Sequence, residues 1–334
     1  IIKYLLLLVF ILTILVCIDT MFQFFNYTSR EGFGTDLLGF KSNWYGRLTG
    51  PFGDELIPGS YVSKFGLIGF TYLLINKNIK YKTLIQSSYL AIILIVSFVS
   101  GERMAFATFL LALFFLLVFL QNYRSTIFLS IIIGFICIFS IFKLHPFYND
   151  YKVIESNEFH QGLKIEKTFE CEENSKSSCF KVINIQPRFI QVLKNFSTSA
   201  YGEIYLLSLK MFKDNPITGV GINNFKYLCE TENNYKNMMI NYNCASHPHN
   251  IYIQWLAEGG IIVFTIFILY ISYIFIFIIK NKGEKELKIV SIVLLVILFW
   301  PIMSTGSLIK NWYGVSTYFI IGISLCLSRL KINY

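Results

Sequence analysis

Charge is scarce in this sequence. Asp, Glu, Lys and Arg make up 15% of its 334 residues, where a soluble globular protein carries about 25%. With 54% hydrophobic residues, that scarcity excludes a disordered chain and almost any soluble enzyme. Seven cysteines in a chain this long exclude a disulfide miniprotein. No basic face on a soluble domain is visible, so nucleic acid is not an expected partner. CxxC and HxxxH spacings are missing, and with them the common zinc ligand sets; neither a metal nor a cofactor is expected. The first apolar run lacks a small-residue cleavage site and is too long for a signal-peptide core.

What is present is a series of apolar runs long enough to cross a bilayer. The expected fold is an all-α polytopic membrane protein with eight spans, at 4–25, 60–76, 83–100, 104–121, 125–143, 251–279, 287–303 and 313–328. The chain opens without Met, so further helices are expected upstream. Three parts follow: helices with short loops over 1–143, a large polar segment over 144–250, and three helices over 251–334. With eight spans the short basic clusters fall on one side: Lys3; Lys77, Lys80 and Lys82; Arg124; Lys280, Lys282, Lys285 and Lys288; Arg329 and Lys331. By the positive-inside rule that side is cytoplasmic, which places 144–250 outside, with membrane lipids around the spans. One helix is readable in the large segment, GEIYLLSLKMFKDNP, with apolar Ile204, Leu207, Met211 and Phe212 and a stop at Asn215-Pro216.

Cys17, Cys137 and Cys326 lie in apolar runs and read as small buried hydrophobes. Cys171, Cys179, Cys229 and Cys244 all fall in the large segment. An even number in an oxidising compartment suggests disulfides; of three connectivities, Cys171–Cys179 with Cys229–Cys244 is the local one.

Candidate chemistry gathers where the large segment meets the sixth span, in HPHNIYIQWLAEGG. His247 and His249 are two of only four histidines. Histidine titrates near neutrality and can take a proton from a hydroxyl; capping a helix is the structural alternative. Asn250, Gln254 and Glu258 recur every four residues on one helix face, a polar stripe expected to descend into the bilayer and face the bundle or a water-filled cavity. Glu258, about 13 Å along the helix from His249, is expected to orient helices or hydrate a cavity and not to act as the base. Ser100-Gly101-Glu102-Arg103 is a tight outer turn whose Arg runs against the positive-inside bias; it reads either as a snorkelling side chain or as a cation for a phosphate oxygen. The first outer loop, GRLTGPFG, brings Arg47 to the same side.

These pieces, in this order, resemble the O-antigen ligase/polymerase family of bacterial membrane glycosyltransferases. The resemblance rests on Gly46–Gly53, Ser100–Arg103, KDNPITGVGINNF at 213–225, and the His-Asn-x-Tyr-x-Gln-x-x-x-Glu-x-Gly pattern beginning at His249. Similar proteins often carry an Arg near the start of the helix before the NPxxGVG stretch; here Tyr201 stands there, and Arg188 is a candidate substitute. The resemblance implies a glycan donor on undecaprenyl diphosphate and an acceptor hydroxyl on lipid A-core or on a growing glycan. It implies inverting, metal-independent transfer at the periplasmic face of the bacterial inner membrane. His249 matches the family's key histidine and would be the base. Arg47, Arg103, Arg188, His247 and Asn250 would bind substrate, with His247 farther out on flexible chain. The NPITGVGINNF stretch would shape a loop over the site. Ligase, polymerase and protein O-transfer are not separated by these motifs. A transporter is the reading from another class, and neither the internal repeats nor the broken helices that would favour it are visible.

Overall fold

The computed structural model describes residues 1–28, 32–42, 46–76, 79–149, 152–153, 164–169, 179–183 and 196–331. It divides into two compact bodies, residues 1–188 and 189–334. The division falls inside the segment 144–250 that the sequence presents as one unit.

The first body is built on α1 (Ile2–Phe25), α2 (Pro58–Ile75), α3 (Lys82–Val99), α4 (Arg103–Phe119) and α5 (Arg124–Leu144), followed by the short α6 (Pro146–Asn149). Helix α1 shows why such a sequence forms a membrane helix. It buries Leu6, Val9, Thr13, Val16, Thr20 and Phe24 at helical spacing, yet leaves Leu8, Ile11, Leu15, Ile18 and Phe22 exposed on its other side. A helix apolar all round suits an apolar solvent. Small residues let the helices approach closely. A Cβ on Gly66 would stand 2.5 Å from Ile93 Cδ1, and one on Gly134 would stand 2.6 Å from Leu94 Cδ2.

Two small sheets depart from the all-α expectation. Strands β1 (Tyr27–Thr28) and β2 (Gly32–Phe33) form an antiparallel pair. Strands β3 (Lys152–Val153), β4 (Lys164–Phe169) and β5 (Cys179–Ile183) form an antiparallel sheet in the order β3-β5-β4. The stretches KIEKTF and CFKVI are short, and rich in β-branched and aromatic residues without a helical period.

The second body holds α7 (Ala200–Asp214), α8 (Phe225–Thr231), α9 (Asn233–Lys236), α10 (Ile251–Lys280), α11 (Lys285–Leu298) and α12 (Asn311–Leu327). Ser199 caps α7, its hydroxyl accepting from Gly202 N at 3.2 Å. Ile204, Leu207 and Met211 of α7 pack with Phe225, Cys229, Tyr235 and Ala257 into one apolar core. Cys229 and Cys244 are joined by a disulfide at its edge. Cys171 and the side chain of Cys179 lie outside the described residues. Helices stand at all eight positions expected of spans. Four of these segments, Ile2–Phe25, Lys82–Val99, Gln121–Leu144 and Ile251–Lys280, are long and apolar enough to cross a membrane.

Helix α10 is not one straight rod. Gly260 has φ 61° and ψ −165°, which breaks the helix into 251–259 and 261–280. Fifteen residues of unbroken helix would separate Tyr252 from Phe267 by about 22 Å. Their ring centres are instead 5.7 Å apart, and Trp255 lies 5.9 Å from the same Phe267 ring. The two pieces therefore fold toward each other at Gly260. Phe267 also meets Phe299 just beyond α11, at 6.2 Å. Helix α11 has 14 residues, a rise of about 20 Å against roughly 30 Å of hydrocarbon. Its far end meets α10 at Phe267.

Candidate functional site

A helix broken in an apolar setting exposes carbonyls on one side of the break and N–H groups on the other, and each must find a partner. The stretch 216–225 supplies them all. Val220 N donates to Ala257 O at 2.9 Å and Gly221 N to Glu258 O at 3.0 Å; Pro216 O accepts from Ile261 N at 2.9 Å and Ile217 O from Ile262 N at 3.4 Å. The side chain joins in: Glu258 Oε1 accepts from Phe225 N at 3.3 Å. Backbone this close leaves no room for side chains. A Cβ on Gly219 would strike the Glu258 carbonyl carbon, and one on Gly260 would strike Ile217 O. Both glycines also sit at positive φ, which side chains rarely adopt. The NPITGVG and EGG stretches are thus two halves of one device. The segment expected to shape a loop over the site is a strap that caps the break.

The near piece of α10 begins at Asn250, whose Oδ1 accepts from Tyr252 N at 3.0 Å and Ile253 N at 3.2 Å. Its Nδ2 donates to Pro301 O at 2.8 Å and Met303 O at 3.2 Å. Tyr252 OH donates to Phe299 O at 2.6 Å. Gln254 Nε2 donates to Ser307 Oγ at 2.8 Å and to Glu258 Oε2 at 2.9 Å. The polar stripe faces the protein's own elements. It grips the 299–307 loop at one end and the strap at the other.

Both histidines are held by the same loop. His247 is not on flexible chain but buried, with 8% of its surface exposed. Its Nε2 lies 3.2 Å from Thr305 O and its Nδ1 2.9 Å from Ser246 Oγ. A carbonyl only accepts, so Nε2 carries the proton and Nδ1 accepts from the serine. His249 O accepts from Thr305 N at 2.7 Å, and the residue sits at φ 55°, a left-handed backbone held by that bond and the neighbouring cap. Its ring lies 4.1 Å from that of His247 and stands edge-on to Tyr201 at 5.7 Å. Tyr201 OH in turn accepts from Ser304 Oγ at 3.2 Å. Among the described residues, neither ring nitrogen of His249 makes a hydrogen bond. Burial, and then the neighbouring His249, push His247 down to about 4. Burial followed by the charge of Lys310 lowers His249 below the usual histidine range. Both shifts favour the neutral imidazole.

In the first body the GRLTGPFG loop and the Ser100–Arg103 turn come together. Leu48 N donates to Ser100 O at 3.1 Å, and a Cβ on Gly101 would strike Gly46 O. Gln23 of α1 holds the loop, its Oε1 accepting from Thr49 N and Gly50 N at 3.0 Å each. Arg47 Nη2 donates to Leu56 O at 3.0 Å. Arg103 is the first residue of α4, where a cation opposes the helix dipole. The buried acid beside it is Glu102, which clasps the start of α2. It accepts from Gly59 N at 2.7 Å, Ser60 N at 3.2 Å and Ser60 Oγ at 2.6 Å. Burial pushes its carboxyl up, against the pull of Ser60, Arg47 and Lys64.

The model of the O-antigen ligase family matches residues 88–268, more than half of the chain. The chain belongs to the O-antigen ligase family. No curated protein matches it. The family match spans the Ser100–Arg103 turn, the strap and the His–Asn–Glu–Gly stretch, but neither the Arg47 loop nor the 299–307 loop that holds the histidines.

In this O-antigen ligase family member, His247, His249, Asn250, Gln254 and Glu258 share one body, and Arg47 and Arg103 share the other. Arg188 lies outside the described residues. Among the described residues no group of three His, Cys, Asp or Glu could hold a metal ion. Sequence reasoning missed three features. The 299–307 loop had a signal, Trp300-Pro301 and Gly306 between two apolar runs. Glu102 had one too, an acid inside the tight turn. Tyr201 stood out only as a departure from the family pattern, and its contact with His249 needed coordinates.

Proposed function

We propose that this protein transfers a glycan from undecaprenyl diphosphate to a hydroxyl of lipid A-core, at the periplasmic face of the inner membrane. The observation that carries the reading is the contrast between the two histidines. His247 has both ring nitrogens committed, while His249 is held through its backbone by Thr305 N and makes no ring hydrogen bond among the described residues. His249 takes the proton of the acceptor hydroxyl. The oxygen attacks the anomeric carbon on the face opposite the diphosphate, the C–O bond to the diphosphate breaks, and the configuration inverts. The departing diphosphate needs cations, and Arg47 and Arg103 are the proposed holders. Tyr201, an aromatic ring edge-on to His249, fits a sugar ring better than a phosphate.

Purified protein supplied with lipid-linked glycan and either lipid A-core or a second lipid-linked glycan tests the acceptor. Product on lipid A-core alone supports the ligase reading. Product only on the lipid-linked acceptor makes the protein a polymerase instead.

A further inference from the structure

We infer that the strap across the Gly260 break is a membrane-seated element, its apolar tip resting in the outer edge of the bilayer. This goes beyond the transfer reading and stands without it. The depth comes from chain geometry. Lys280 ends α10, and the piece from residue 261 to it rises about 30 Å at 1.5 Å per residue, the thickness of the hydrocarbon core. Gly260 therefore marks the far edge of that core. Two backbone hydrogen bonds tie the strap to this level, Ile261 N to Pro216 O and Ile262 N to Ile217 O.

At that level the strap exposes apolar side chains. Ile217 is 63% exposed and Ile222 48%, beside Ile261 at 46% and Ile262 at 49%. Ile262, Ile266, Leu269 and Tyr273 recur at helical spacing as the outward stripe of α10. The strap's isoleucines extend this stripe past the helix break, so one apolar surface runs from the span onto the strap. Its flanks suit an interface. Tyr227 is exposed, and Lys213 stands exposed at the end of α7, residue types that sit at headgroup level. The partner that fits is a lipid surface: acyl chains against the isoleucines, headgroups against the tyrosine and lysine. Seated this way, the strap fixes the height of the helix break in the bilayer, and with it the height of the near piece that carries Asn250.

The test places p-benzoylphenylalanine at Ile217, at Ile222 and, as a lipid-facing reference, at Tyr273. Each protein is reconstituted in phosphatidylethanolamine–phosphatidylglycerol vesicles, irradiated and weighed by mass spectrometry. Lipid adducts at positions 217 and 222 within about threefold of position 273 are expected. Adducts at 273 with none at 217 and 222, or adducts there to protein alone, overturn the proposal. All three side chains are exposed, and agreement of the 217 and 222 proteins guards against misfolding of either.

Discussion

The tautomer of His247 is fixed by its partners, and its burial keeps it neutral. Folded, it titrates near 4; unfolded, near about 6.5. Between those values the unfolded state binds more protons, so stability falls as pH drops through that window. His249, also lowered, adds in the same direction. The midpoint of thermal unfolding in detergent should therefore fall on going from pH 7 to pH 5. His247→Gln, which still donates to Thr305 O, should flatten that fall; an unchanged slope would remove His247 as its source. His247→Ala leaves the carbonyl without its donor and should cost about 1–3 kcal/mol. Sequence reasoning placed both histidines where the helix begins but read His247 as solvated, because the loop that buries it lies more than fifty residues downstream.

At the scale of elements, hydropathy located the helices, since apolar runs bounded by polar turns carry their own signal. It did not find the break in α10. Gly259-Gly260 was visible, but the apolar run continues through it, and only a partner strand of backbone makes a break tolerable. The strap's four backbone hydrogen bonds are invisible to side-chain pattern. Their importance is testable. Gly219→Ala puts a methyl against Glu258 and forces a side chain to φ 68°, a cost of about 1–3 kcal/mol in backbone strain alone. Glu258→Gln keeps an oxygen for Phe225 N, whereas Glu258→Ala keeps none. Thermal unfolding should rank wild type and Glu258→Gln above both Glu258→Ala and Gly219→Ala. Equal midpoints for all four would mean the strap contributes no stability.

For the whole molecule, membrane character was legible in composition, and the sheet at 152–183 was not, because short strands in a polar segment leave a weak pattern. The orientation proposed from the basic clusters has a direct test. Ile240, 81% exposed, lies in the polar segment, and Lys282 lies between α10 and α11. Cells carrying Ile240→Cys should take up a membrane-impermeant maleimide above the wild-type level. Lys282→Cys should react only after the inner membrane is opened. The reverse order would invert the topology and move the chemistry to the cytoplasmic face.

The measurement closest to the central claim is the rate of glycan transfer against pH, for purified wild type and His249→Ala at saturating donor. A base works only when neutral, so wild-type transfer should be constant at high pH and fall as pH drops through the His249 pKa, with a midpoint below about 6.5. His249→Ala should lose roughly 10²–10⁴-fold in rate and lose this acid limb, while still binding lipid-linked donor. A variant that keeps the wild-type rate, or the same acid limb, would contradict the assignment of His249 as the base.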